Sequence, residues 1–161
     1  MATGRVDYDE CMAVGFTPVD DDLYREIILD HYRNPRHRKA VEPADHHVEA
    51  NNPLCGDEID LSFRVRDGAV EAIGFTGRGC SISQASASML CESLTGMQLT
   101  DAEALTERFR AMLQGDEVDA DLGDLEALRG VRAYPVRVKC ATLPWNAFLE
   151  GLSGRNGAAG S

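Results

Sequence analysis

The sequence predicts an α+β domain: a small antiparallel sheet of about three strands packed against about five or six helices. Two patterns carry this reading. Ile59, Leu61, Phe63 and Val65 alternate with polar residues, the period of a half-buried strand, and Asp67-Gly68 is a two-residue hairpin signal that returns the chain along residues 70–75. After Ser81 the period changes, and apolar residues recur at helical spacing until near the C-terminus.

Taken in order, residues 1–19 lack a sustained period and read as a flexible N-terminal extension, with Cys11 an incidental thiol. Asp20, Asp21 and Asp22 offer N-caps for a helix through residues 23–32, which Asn34-Pro35 stops. Leu23, Tyr24, Ile27, Ile28 and His31 form its inward stripe. A polar loop with His37, His46 and His47 follows, and residues 47–50 supply a third strand. Gly74, Gly77 and Gly79 break the sheet before a helix over residues 81–94, whose many Ala and Ser residues let a neighbour approach closely. Thr100-Asp101-Ala102-Glu103 reads as a capping box for a helix carrying Leu105, Phe109, Met112 and Leu113 until Gly115. An acidic link and a short helix near residues 122–128 come next. Pro135 opens the last helix, with Val136, Cys140, Leu143, Ala147 and Gly151 on one face and Pro144 predicting a kink or restart. Residues 20–152 thus read as one domain, and 153–161 as a flexible tail.

Composition narrows the function. Sixteen Lys+Arg against 27 Asp+Glu leave a net charge of −11 over 161 residues, which argues against nucleic acid as a partner. No apolar run approaches the roughly 20 residues that span a bilayer, and no apolar core follows Met1-Ala2-Thr3-Gly4-Arg5, so a cytoplasmic protein without a membrane segment is expected.

Five cysteines form an odd set, and without a secretion signal metal-bound or reactive thiols are expected over disulfides. Cys55 stands between Pro53-Leu54 and Gly56, with Asp57 two residues on, so a thiolate and a carboxylate can face one cation; an ordinary turn capped by Asp57 reads the same way. Cys80 opens the small-residue helix, where free N–H groups favour a thiolate. Cys140 lies on an inward helix seam between Arg137, Lys139 and the next turn. Cys91 falls in phase with Ala87 and Leu94 and reads as a packed core thiol. The Gly74–Gly79 spacing fits neither GxGxxG nor a Walker motif, which disfavours nucleotide binding. Spacing alone leaves Cys55, Asp57, Cys80 and Cys140 as one candidate set, with zinc or iron–sulfur favoured over magnesium or calcium.

Three segments then carry a resemblance. Asn52-Pro53-Leu54-Cys55-Gly56-Asp57, the run from Gly77-Arg78-Gly79-Cys80 to Met89, and Arg137-Val138-Lys139-Cys140-Ala141-Thr142-Leu143 resemble, in order, the three cysteine motifs of the IscU/NifU-type iron–sulfur assembly family. The similarity spans about residues 20 to 152 and implies an IscU/NifU N-terminal-like fold. Lys139 stands where IscU-type scaffolds carry a His, and residues 114–130 resemble an insertion of the SufU branch.

That branch implies one zinc held by Cys55, Asp57, Cys80 and Cys140, with Cys55 accepting persulfide sulfur from a SufS-type, pyridoxal-phosphate-dependent cysteine desulfurase. The sulfur would pass to downstream iron–sulfur assembly proteins, making the chain a sulfurtransferase-like partner. A desulfurase histidine is expected to take the place of Cys55 on the metal. Arg137 and Lys139 match positions near the site, and a solvated basic pair explains them equally well. Two alternatives stay open: a [2Fe–2S] scaffold using the same ligands with transient iron, and a structural zinc interaction domain.

Overall fold

Asp67 and Gly68 both take positive φ, 56° and 77°, the conformation a tight two-residue hairpin requires of its central pair. In the structure, a computed structural model that describes residues 18–53, 56–115 and 122–154, this turn joins β2 (Asp57–Arg66) to β3 (Ala69–Arg78). β1 (His46–Asn52) completes a three-stranded antiparallel sheet in the order β1-β2-β3. The expected third strand is therefore present and longer than residues 47–50.

Register places Val48 beside Leu61 and Leu61 beside Phe75, and all three are buried on the inner face. Gly74 and Gly77 do not break the sheet; both lie within β3. A side chain at Gly74 would put its Cβ 2.1 Å from the Lys39 carbonyl oxygen, and at Gly77, where φ is 131°, 2.0 Å from that of Glu58. These glycines mark close backbone approach rather than a strand end.

The helices cover the inner face. α1 spans Pro18–Arg33, so Asp20, Asp21 and Asp22 lie within it instead of capping it, still near its positive end. His31 is buried, with Nδ1 2.8 Å from the Ser88 hydroxyl, which also accepts the Arg36 N–H at 2.8 Å. α2 (Ser81–Leu94) has the predicted bounds, and its small residues meet the last helix: Ser86 donates to the Ala141 carbonyl at 2.6 Å and accepts the Trp145 N–H at 2.9 Å.

α3 (Leu99–Leu113) starts after Gln98, with no side-chain cap, and the expected capping box is not used. The start is set by tertiary bonds instead: the Leu99 N–H reaches the Gly68 carbonyl and Gln98 bridges Ala69. The short helix expected near residues 122–128 is an eleven-residue 3₁₀ segment, Gly123–Ala133. α4 (Pro135–Gly154) continues through Pro144, so the helix does not restart there. Cys140, Ala141, Trp145 and Phe148 on both sides of the proline are buried in one core, and breaking the helix would expose them. Its inner face is the expected one for Cys140, Leu143, Ala147 and Gly151, and only Val136, 46% exposed in the first turn, departs from it.

The N-terminal residues 1–17 with Cys11, the acidic link at 116–121 and the tail from 155 lie outside the described residues; Ser153 and Gly154 complete α4. Among the described residues no helix is long and apolar enough to cross a membrane.

Cys91 is fully buried, and burial holds its thiol neutral far above the ordinary range. It should resist iodoacetamide at pH 8 in the folded protein and react fully once the chain is unfolded. Labelling at a rate typical of exposed thiols would place it outside the core.

Candidate metal centre

Asp57 opens β2 and is fully buried, opposite Asn52 in the β1–β2 register. Its Oδ1 accepts the Cys80 N–H at 2.9 Å, and the Ser83 hydroxyl lies 3.2 Å away. Its Oδ2 is buried with no hydrogen-bond partner among the described residues. Cys80 is the N-cap of α2 in extended conformation, so its N–H points to the carboxylate just before the helix turns begin. Gly79 leaves room for this arrangement: a Cβ there would lie 2.4 Å from Ser83 Oγ and 2.5 Å from Asp57 Oδ1.

Cys140 arrives from α4 and is fully buried. One ligand atom each from Asp57, Cys80 and Cys140 lies within 4.8 Å of the others. Around Cys140 Sγ stand Asn52 Nδ2 at 3.6 Å, Arg137 Nη1 at 4.0 Å and the Val136 carbonyl oxygen at 3.7 Å. The two nitrogens are donors suited to a thiolate, while a protonated thiol would donate to Val136. Cys55 and Leu54 lie outside the described residues, but the residues flanking them are joined: the Gly56 N–H donates to the Asn52 carbonyl at 2.8 Å, and Gly56 takes a φ of 75°.

Arg137 thus reaches the cluster, and Lys139 does not show a contact with it. Lys139 is exposed and lines a neighbouring groove of about 340 Å³ with Asn51, Asn52, Arg110 and Thr142. Cys91 sits eleven residues along α2 from Cys80, about 16 Å on helical rise, and takes no part. A second group, His47, Glu49 and Asp60, is on the solvent side of the sheet; His47 Nε2 contacts Asp60 Oδ1 there. Sequence reasoning did not give roles to Asn52, Gly79 or Ser83. Only Gly79, pressed between a strand end and a cysteine, carried a local hint.

The donor set fits a thiophilic divalent metal. Two sulfurs and a carboxylate oxygen are characteristic of zinc or iron–thiolate chemistry, and magnesium and calcium prefer oxygen alone. The unpartnered Oδ2 is the independent sign. A buried carboxylate oxygen without a donor is costly, and a cation satisfies it.

Comparison with known proteins gives a consistent picture. Residues 23–141 match the family described as NifU-like N terminal domain. The zinc-dependent sulfurtransferase SufU of Bacillus subtilis (strain 168) is 46% identical over 139 residues, covering 85% of this chain and 94% of that protein. The iron–sulfur cluster assembly scaffold protein IscU of Streptococcus pyogenes serotype M1 is 40% identical, over 81% of this chain and 82% of its own. Among solved structures, a putative scaffold protein for the SUF system from Fervidobacterium islandicum AW-1 superposes with a TM-score of 0.76 at 32% identity, covering 79% of this chain and 94% of that one. An N-terminal NifU-like protein from Brucella abortus, at 23% identity and a TM-score of 0.74, shares the fold over 83% of this chain and 94% of its own.

Ser83→Ala removes a hydroxyl from the carboxylate, and support of this kind is worth about 10–100-fold in metal affinity. Gly79→Ala should weaken binding more, because its Cβ displaces the carboxylate itself. Competition titration with a chromophoric chelator measures both, with circular dichroism checking the fold; wild-type affinity in both variants would remove Asp57 from the site.

Proposed function

The chain belongs to the NifU-like N-terminal domain family, and from this we propose that it is a zinc-dependent sulfur-transfer protein of iron–sulfur cluster assembly, working with a SufS-type cysteine desulfurase in the cytoplasm. Cys55, Asp57, Cys80 and Cys140 are the proposed zinc ligands. The orphaned Asp57 Oδ2 beside two sulfurs is the observation that carries this reading. Cys55 is two Cα steps of ~3.8 Å from Asp57, so the chain itself keeps it near.

Bound zinc would keep the cysteine sulfurs as ordered thiolates at neutral pH. The chain's residues do the rest. Cys80 caps a helix and Cys140 lies inside one, so both are held by helical backbone. Cys55 precedes β2 in the chain and belongs to neither helix, so it can be presented to a partner without unwinding either one. In the transfer, the Cys55 thiolate attacks the outer sulfur of the desulfurase persulfide. The old S–S bond breaks, the desulfurase cysteine leaves as a thiolate, and Cys55 carries the persulfide with no net change in oxidation.

The [2Fe–2S] scaffold is the second reading, favoured by the IscU relative. Lys139, in place of a histidine before Cys140, favours transfer. Metal content of protein purified without air distinguishes them, one zinc and no colour against iron with sulfide.

Two outcomes test the proposal. Cys55→Ala should abolish stimulation of desulfurase turnover, and mass spectrometry should find the wild-type persulfide on Cys55; the extra sulfur on Cys140 would overturn the acceptor assignment. Removing zinc should lower the melting temperature by about 5 °C or more, because the metal ties strand to helices and structural zinc is worth roughly 10–16 kcal/mol in small domains. An unchanged melting point after verified removal would leave the metal no structural role.

A further inference from the structure

We infer that Asn52 is a positioning residue that holds Cys140 as the retained thiolate of the centre, directing sulfur transfer to Cys55. The inference rests on the zinc-dependent transfer reading above. Asn52 is only 6% exposed at the last position of β1, where an apolar side chain would be simpler to bury. Its amide Nδ2 instead lies 3.6 Å from Cys140 Sγ, joining residues 88 apart in the chain.

The same residue touches two other parts of the site. Its carbonyl accepts the Gly56 N–H, and in the sheet register it stands opposite Asp57. Asn52 thus adjoins two of the four proposed ligand positions, Cys140 through its side chain and Asp57 through the register. Cys140 is in addition approached by Arg137 Nη1 at 4.0 Å.

The chemistry follows from the direction of that bond. A thiolate can only accept hydrogen bonds, and each donor withdraws electron density from the sulfur. A sulfur so engaged is a weaker nucleophile and remains on its metal. Cys140 is also enclosed, fully buried within α4. Cys55 can be the reacting thiol because its chemically similar neighbour is restrained, and Asn52 supplies that restraint.

The test needs no desulfurase. Cobalt(II) replaces zinc in wild type, Asn52→Leu and Asn52→Ala, and two signals are read: the thiolate-to-cobalt charge-transfer band, and alkylation rates of the individual cysteines by mass spectrometry with metal bound. Loss of one N–H donor should shift the band to longer wavelength and raise the Cys140 rate about five- to tenfold, with Cys55 unchanged within about twofold. Stoichiometric cobalt with an unshifted band and an unchanged Cys140 rate in both variants overturns the inference. So does metal loss from both variants while they stay folded, since the side chain would then be needed for metal retention as a whole rather than for restraining one sulfur. A wild-type protein lacking the charge-transfer band fails the underlying zinc reading instead, which keeps the two failures apart.

Discussion

A fully buried carboxylate at the first position of β2 constrains everything near it. Asp57 cannot be left as an isolated charge, because desolvating an ion costs several kcal/mol unless partners replace its water. One oxygen has its partners, the Cys80 N–H and the Ser83 hydroxyl, both from the first turn of α2. The other oxygen is left for something else. The start of α2, the absence of a side chain at Gly79 and the placing of Cys80 all follow from accommodating this one group.

Cys140 is positioned by a different device. α2 is buried over nearly its whole length and meets α4 through Ser86, whose hydroxyl bonds both the Ala141 carbonyl and the Trp145 indole. Small side chains allow this close approach. The neighbouring residue, Cys140, is thereby delivered beside the end of the sheet, where Asn52 and Asp57 face each other across β1 and β2. Aromatic packing of Trp145 on Phe109, with ring centres 4.6 Å apart, seats the same stretch of α4 against α3.

How much of this the sequence shows depends on range. The hairpin and α2 were legible because their signals are local: an Asp-Gly pair suited to positive φ, and glycines followed by a small-residue helix. The start of α3 was not, because a long-range bond to Gly68 outweighs the side-chain box at Thr100. Gly74 and Gly77 looked like breakers until the passing backbones of Lys39 and Glu58 explained them. Pro144 does not restart the helix for the same reason, since core packing on both sides keeps α4 whole. The three cysteine motifs were visible as separate segments. Their meeting was not readable from spacing, and the contributions of Asn52, Ser83 and Gly79 exist only as distances across the fold.

The hydrogen bond from Asn52 to Cys140 spans 88 residues, and this separation has a kinetic meaning. The β2–β3 hairpin and α2 are contiguous, so Asp57 and Cys80 can meet early, at the cost of closing one short loop. Cys140 lies beyond α3 and the 3₁₀ segment, so bringing it in requires closing a much longer stretch of chain. A half-folded chain would therefore present three of the four proposed donors, Cys55, Asp57 and Cys80, and lack the fourth. Full coordination becomes available last, so the cluster distinguishes a finished molecule from one still folding.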